Sequence, residues 1–130
     1  TAAVAGLIAA LEDPDPDVRA CAVVGLAGLR PAAAVAPLVT CLADSSAYVG
    51  RLAADALAQI GPPAAEALIV TLQEGDVAAR AGAARALSVI QSEQAIPALC
   101  AALDDPSAIV THYAEEALER MGVGMAFFWP

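Results

Sequence analysis

Residues 38–61 read LVTCLADSSAYVGRLAADALAQIG, and three further stretches follow the same template: LIAALEDPDPDVRACAVVGLAGL at 7–29, LIVTLQEGDVAARAGAARALSVI at 68–90 and LCAALDDPSAIVTHYAEEALERMG at 99–122. Their first leucines, Leu7, Leu38, Leu68 and Leu99, lie 31, 30 and 31 residues apart. Further columns run Leu11, Leu42, Leu72, Leu103; Val18, Val49, Ala79, Val110; Ala22, Ala53, Ala83, Ala114; Leu26, Leu57, Leu87, Leu118; and Leu29, Ile60, Ile90, Met121. Self-similarity at this period marks a solenoid built from small supersecondary units.

One unit can be read physically. Apolar residues at i, i+1 and i+4, as in Leu7, Ile8 and Leu11, make one face of a short helix A. A turn column (Pro14, Ser45, Gly75, Pro106) interrupts the pattern, followed by Asp15, Ser46, Asp76 and Ser107, side chains that accept hydrogen bonds from the free N–H groups of a starting helix. Pro16 then suits the first turn, where its missing N–H costs nothing. Helix B spans about 18–29, with positions 18, 22, 25, 26 and 29 expected to form its core face. Gly61 and Gly122 stand just past that helix, where a left-handed residue ends it, and Pro31, Pro62 and Pro63 punctuate the junctions. A helix pair this short cannot bury its apolar face alone, so neighbouring pairs must supply the burial. The expected fold is all-α: a right-handed α-solenoid of about four antiparallel helix pairs at 2–30, 31–61, 62–91 and 92–122, with 123–130 as a C-terminal cap or tail.

Composition agrees with this and narrows function. Alanine abounds and aromatics are 4% of the 130 residues, so small side chains in close helix contact are expected to build the core. The net charge is −9, from 15 acids against six basic residues that are all arginine, which disfavours nucleic acid and anionic membranes as partners. Mean hydropathy is +0.66, yet no uninterrupted apolar run reaches a membrane span. Cys21, Cys41 and Cys100 show no C-x-x-C spacing, which predicts free thiols, a reducing cytoplasmic setting and no metal or other cofactor. Cys100 falls in the column of Ile8, Val39 and Ile69 and reads as a small buried hydrophobe. No signal peptide is visible, and the start at Thr1 in place of Met reads as that of a trimmed fragment.

The four stretches resemble HEAT repeats, specifically the short HEAT-like type first associated with phycobilisome lyases: a leucine-rich helix A, an Asp-containing turn, and Val-Arg opening helix B. The resemblance implies a stacking ladder in which the acid after helix A meets the arginine at the start of helix B. The acidic column is intact as Asp13, Asp44, Glu74 and Asp105. Arg19 and Arg80 fill the basic column, whereas Gly50 and Thr111 break it.

The resemblance further implies that helix B binds partners on the concave face opposite its core. The columns assigned there are Ala20, Arg51, Ala81, His112; Val23, Ala54, Ala84, Glu115; Val24, Asp55, Arg85, Glu116; and Ala27, Ala58, Ser88, Glu119. The expected partner-binding ridge is thus Arg51, Asp55, Arg85, His112, Glu115, Glu116 and Glu119, with Asp55, Arg85 and Glu116 as an alternating ion-pair ladder. Val23 and Val24 on that side point to a contact surface or to a preceding repeat. His112, the one histidine, has Tyr113, Glu115 and Glu116 beside it, but no phosphate loop, H-E-x-x-H motif or nucleophile elbow accompanies it. The tail gathers Met125, Phe127, Phe128 and Trp129, either as a cap over the last repeat or as a docking patch.

The sequence therefore predicts a non-enzymatic scaffold, adaptor or assembly factor that binds another protein on its helix-B face. The resemblance adds an alternative, a bilin lyase or lyase-like chaperone subunit acting on phycobiliproteins.

Overall fold

The structure, a computed structural model, describes residues 2–122. The aromatic tail with Met125, Phe127, Phe128 and Trp129 lies outside the described residues. Eight α-helices run along the described chain: α1 (Ala2–Ala10), α2 (Pro16–Leu29), α3 (Val35–Cys41), α4 (Ala47–Ile60), α5 (Ala65–Glu74), α6 (Val77–Ile90), α7 (Ile96–Ala102) and α8 (Ala108–Arg120). Short 3-10 turns at Ala32–Ala34, Pro62–Ala64 and Glu93–Ala95 lead into α3, α5 and α7. The odd-numbered helix of each pair packs on the helix that follows it. The long helices α2, α4, α6 and α8 stack in series, as do α3, α5 and α7. Every described regular element is helical, and the result is an α-solenoid.

Local sequence fixes the helix ends. The side chains of Asp15, Ser46 and Asp76 accept from the backbone N–H groups of Asp17, Val49 and Ala79. Ser107 makes no such bond; its own N–H is held at 2.8 Å by the Asp105 carboxylate. At the far ends Gly61 and Gly122 take positive φ of 84° and 80°, and Arg30 and Gln91 adopt left-handed φ of 52° and 57° at the same junctions.

Leu26, Leu38, Leu57, Leu68, Leu87, Leu99 and Leu118 are fully buried, each contributing roughly 1.5–3 kcal/mol relative to exposure. The core face expected for α2 needs correcting. Ala22 and Leu26 are buried, but Leu29 is 55% exposed. Ala20, Val23 and Ala27, assigned by sequence to the outer ridge, are buried instead, and so are Ala54, Ala81, Ala84 and Ser88. The reason is the stacking. Besides its own short partner, α2 packs on the long helix α4, and α4 and α6 have a long helix on each flank, so burial covers much more than one stripe. Alanine at these positions lets the long helices approach closely.

Candidate functional site

Two arginines staple adjacent pairs. Arg19 on α2 reaches Asp44 with Nε to Oδ2 at 2.9 Å and Nη2 to Oδ1 at 3.0 Å, while its Nη1 donates to the Asp13 carbonyl at 2.8 Å. Arg80 on α6 repeats this with Asp105 at 2.8 and 3.2 Å and the Gly75 carbonyl at 2.9 Å. Such two-pronged, charge-assisted bonds fix orientation as well as distance. Between the second and third pairs the rung is missing, because Gly50 has no side chain to offer Glu74. A Cβ there would stand 3.2 Å from the Leu42 carbonyl oxygen, so α4 begins unusually close to the end of α3.

That junction is bridged further along the long helices. Arg85 on α6 donates to Asp55 on α4 at 3.2 Å and points Nη1 at the Tyr113 hydroxyl on α8, 3.5 Å away. Its guanidinium carbon lies 6.0 Å from the Tyr113 ring centre. Partial burial by itself weakens the Arg85 charge, but the bonds from Tyr113 and Asp55 outweigh it and hold its pKa above the ordinary arginine value. The alternating ladder expected from sequence is therefore half present. Asp55–Arg85 forms; Glu116 turns along its own helix to Arg120 at 3.0 Å and faces His112 at 3.8 Å.

Beside Arg85 runs a groove of about 260 Å³ across the first halves of α4, α6 and α8. Its floor is small (Gly50, Ala54, Ala81, Gly82), and Arg51 and Tyr113 stand at its edges. A Cβ at Gly82 would come within 2.9 Å of Leu42 Cδ2 and 3.8 Å of Ala54 Cβ, so the missing side chain is what seats α6 against the preceding pair. Arg51 is exposed and has no ion-pair partner among the described residues.

Of the residues the sequence singled out, Arg51 and Arg85 line this groove and Asp55 supports it. His112, Glu115 and Glu119 are exposed on α8 outside its lining, with Glu116 half-buried among them. The His112 ring meets the Tyr113 ring edge-on at 5.4 Å. The groove also uses Ala78, Ile109 and Tyr113, which belong to two columns left unassigned, Asp17, Tyr48, Ala78, Ile109 and Cys21, Leu52, Gly82, Tyr113. Their signal was the change from large or charged residues to small ones in the third repeat.

Cys21 is exposed, Cys41 buried and Cys100 half-buried, all as free thiols. Burial pushes the Cys41 thiol up, with the Asp44 carboxylate adding to the effect against Arg19. Among the described residues no cluster of three His, Cys, Asp or Glu side chains is arranged to hold a metal ion. No helix there is long and apolar enough to cross a membrane.

Known proteins show the same architecture. The family model described as HEAT repeats matches residues 4–74 and 62–119. Among curated proteins none matches this sequence. Among solved structures, a chain in the complex of CpcE and CpcF of phycocyanin lyase from a Nostoc species is 28% identical over 92% of this chain, with a TM-score of 0.67. The match spans 53% of that protein's length. An engineered protein is 27% identical over 93% of this chain and 63% of its own, with a TM-score of 0.56. A designed armadillo repeat protein in complex with a (KR)4 peptide shares the fold at 24% identity and a TM-score of 0.57, over 92% of this chain and 64% of its own. The repeat template, the stapled helix pairs and the family match agree: the chain belongs to the HEAT-repeat family, in its short, phycobilisome-lyase HEAT-like form.

Proposed function

We propose that this chain is a non-catalytic interaction scaffold that holds a segment of a partner protein in the groove over α4, α6 and α8. The observation that carries this reading is the pairing of an uncompensated cation, Arg51, with a small-residue floor and the buttressed Arg85–Tyr113 wall. Small floor residues admit a partner's backbone and side chains closely. Arginine and tyrosine are the residue types that contribute most at such contacts. The partner presents a carboxylate to Arg51, and basic groups along the rim formed by His112, Glu115, Glu116 and Glu119. A photo-crosslinking amino acid at Ala78, exposed on the groove, tests this in source lysate. One discrete adduct, absent when the same group is placed at exposed Val89 on α6, is expected; equal labelling from both positions contradicts it.

A second reading, a bilin lyase or lyase-like chaperone subunit, is favoured by the 28% identity to the chain in the CpcE–CpcF complex. Size argues against this groove as a complete pigment site. At about 260 Å³ it falls below the roughly 300–1,000 Å³ typical of drug-sized ligands. Zinc-induced bilin fluorescence on coexpression with a phycobiliprotein separates the two readings.

A further inference from the structure

An exposed apolar strip crosses the first turns of three successive long helices. Tyr48 on α4, Val77 on α6 and Ile109 on α8 are 64%, 49% and 50% exposed, and exposed Ala47, Ala78 and Ala108 stand beside them. In the first pair the matching residues are Pro16 and Asp17, so a charge bounds the strip there. Where the sequence begins or ends does not create this exposure. Helix α4 has α2 and α6 on its flanks, and α6 has α4 and α8. With those neighbours in place Tyr48, Val77 and Ala78 remain open. Single exposed apolar residues need no explanation, but a run of them over three elements, rimmed by polar groups, marks an interaction surface.

The strip joins the groove over α4, α6 and α8 through Ala47, Ala78 and Ile109, which line both. Its two long edges carry opposite charge. Arg51, without an ion-pair partner among the described residues, lies about one helical turn beyond Tyr48. On the other edge exposed Asp76 caps α6 directly before Val77. Spacing then selects the conformation of an occupant. Packed helices stand about 8–10 Å apart, so a segment running along the strip meets a new helix at that interval. An extended strand returns to one face every two residues, about 6.7 Å, and falls out of step. Seven residues of α-helix rise about 10.5 Å and return to within about 20° of the same direction. A polyproline helix repeats at about 9.3 Å, but it docks in aromatic-lined grooves, and the floor here is Ala78, Ala81 and Gly82.

We propose that the partner segment is an amphipathic α-helix of about two heptads, laid across the first turns of α4, α6 and α8. Its apolar residues, seven apart, pack on Tyr48, Val77 and Ile109. One of its flanks sets a carboxylate on Arg51, and the other sets a basic residue beside Asp76. The opposite charges of the two edges fix which way the helix is rolled. This rests on the reading of the groove as a partner site and names the conformation and chemistry of what enters it.

The probe is the peptide that a photo-crosslinking residue at Ala78 captures, sequenced by mass spectrometry and resynthesised with its flanks. Titrated with the full chain, it is expected to gain helical circular dichroism on binding. A proline at its centre should abolish binding. Tyr48→Ala and Ile109→Ala should each weaken it on the order of tenfold. Both side chains are exposed, so the unfolding midpoint of each variant should match the wild type. Arg51→Glu should lose binding and regain it when the facing acid of the peptide is changed to lysine. Binding without a gain of helicity, binding indifferent to the central proline, or affinities within about twofold of wild type for both Tyr48→Ala and Ile109→Ala overturn the proposal. If affinity then still depends on Arg51 and Arg85, the groove reading stands without it. No discrete adduct at Ala78, or affinity indifferent to both arginines, overturns the groove reading and this proposal together. A crosslink to another segment of this same chain overturns the partner helix.

Discussion

Arg19 and Asp44, 25 residues apart in sequence, are joined by two parallel hydrogen bonds of 2.9 and 3.0 Å that clamp the first helix pair to the second. Burial alone would raise the Asp44 pKa. The Arg19 bond, the Ser46 N–H and the arginine's charge outweigh that and hold it below the ordinary carboxylate value. The Arg80 bond, and then the Ser107 N–H, lower Asp105 in the same way. A carboxyl depressed in the folded state contributes stability that is fully present above its unfolded pKa of about 3.9 and is lost as pH falls through its folded value. The thermal midpoint of the wild type should therefore fall on acidification below about pH 4. Asp44→Asn/Asp105→Asn should begin lower at neutral pH and fall less over that window. Parallel curves for the two proteins would remove this account of the clamps.

Leu57 and Leu29 stand in columns that the sequence treats alike, yet Leu57 is fully buried and Leu29 is 55% exposed. Leu57→Ala should cost about 2–5 kcal/mol in urea unfolding. Leu29→Ala should cost about 0.5 kcal/mol or less. Similar losses at both sites would contradict the burial pattern.

Gly75 sits in a tight turn, where a Cβ would lie 2.8 Å from the Thr71 carbonyl oxygen and 2.9 Å from Ala79 Cβ. Gly75→Ala should destabilise by about 1–3 kcal/mol. Gly28 lies within α2 with nothing within 4 Å of an added Cβ. Gly28→Ala should gain about 0.5–1 kcal/mol from helix propensity. Differential scanning calorimetry of the two variants checks the opposite signs.

Arg30 and Gln91 hold left-handed backbone where glycine serves at Gly61 and Gly122. An L side chain in that region costs roughly 1–2 kcal/mol, only partly offset by the extra freedom glycine brings to the unfolded chain. Arg30→Gly and Gln91→Gly should each raise the unfolding midpoint, and a fall in both would show that these side chains contribute more than their backbone costs.

The features legible in the sequence were local or periodic. Leucine columns gave the pairs, Asp15, Ser46 and Asp76 the helix starts, and Gly61 and Gly122 the helix ends. The broken arginine column likewise announced the absent rung at Gly50. The outer face of helix B was not legible, because alanine suits a buried seam and an open ridge equally. Ala54, Ala81 and Ala84 became seam once the long helices stacked on both flanks. Tyr113 displaced Glu116 as the neighbour of Arg85 for a related reason: the two stand three residues apart, about one turn along α8 and roughly 60° round it, and only the stacking offset decides which reaches across.

The central claim is that the groove beside Arg51 and Arg85 holds a partner segment. Its most direct test is the dissociation constant of the protein captured through Ala78, measured for the wild type, Ala78→Trp and Arg51→Ala/Arg85→Ala by titration calorimetry. The account predicts weakening of on the order of tenfold or more for each variant, with helicity and unfolding midpoint retained by Ala78→Trp. Affinities within about twofold of wild type for both variants would contradict it.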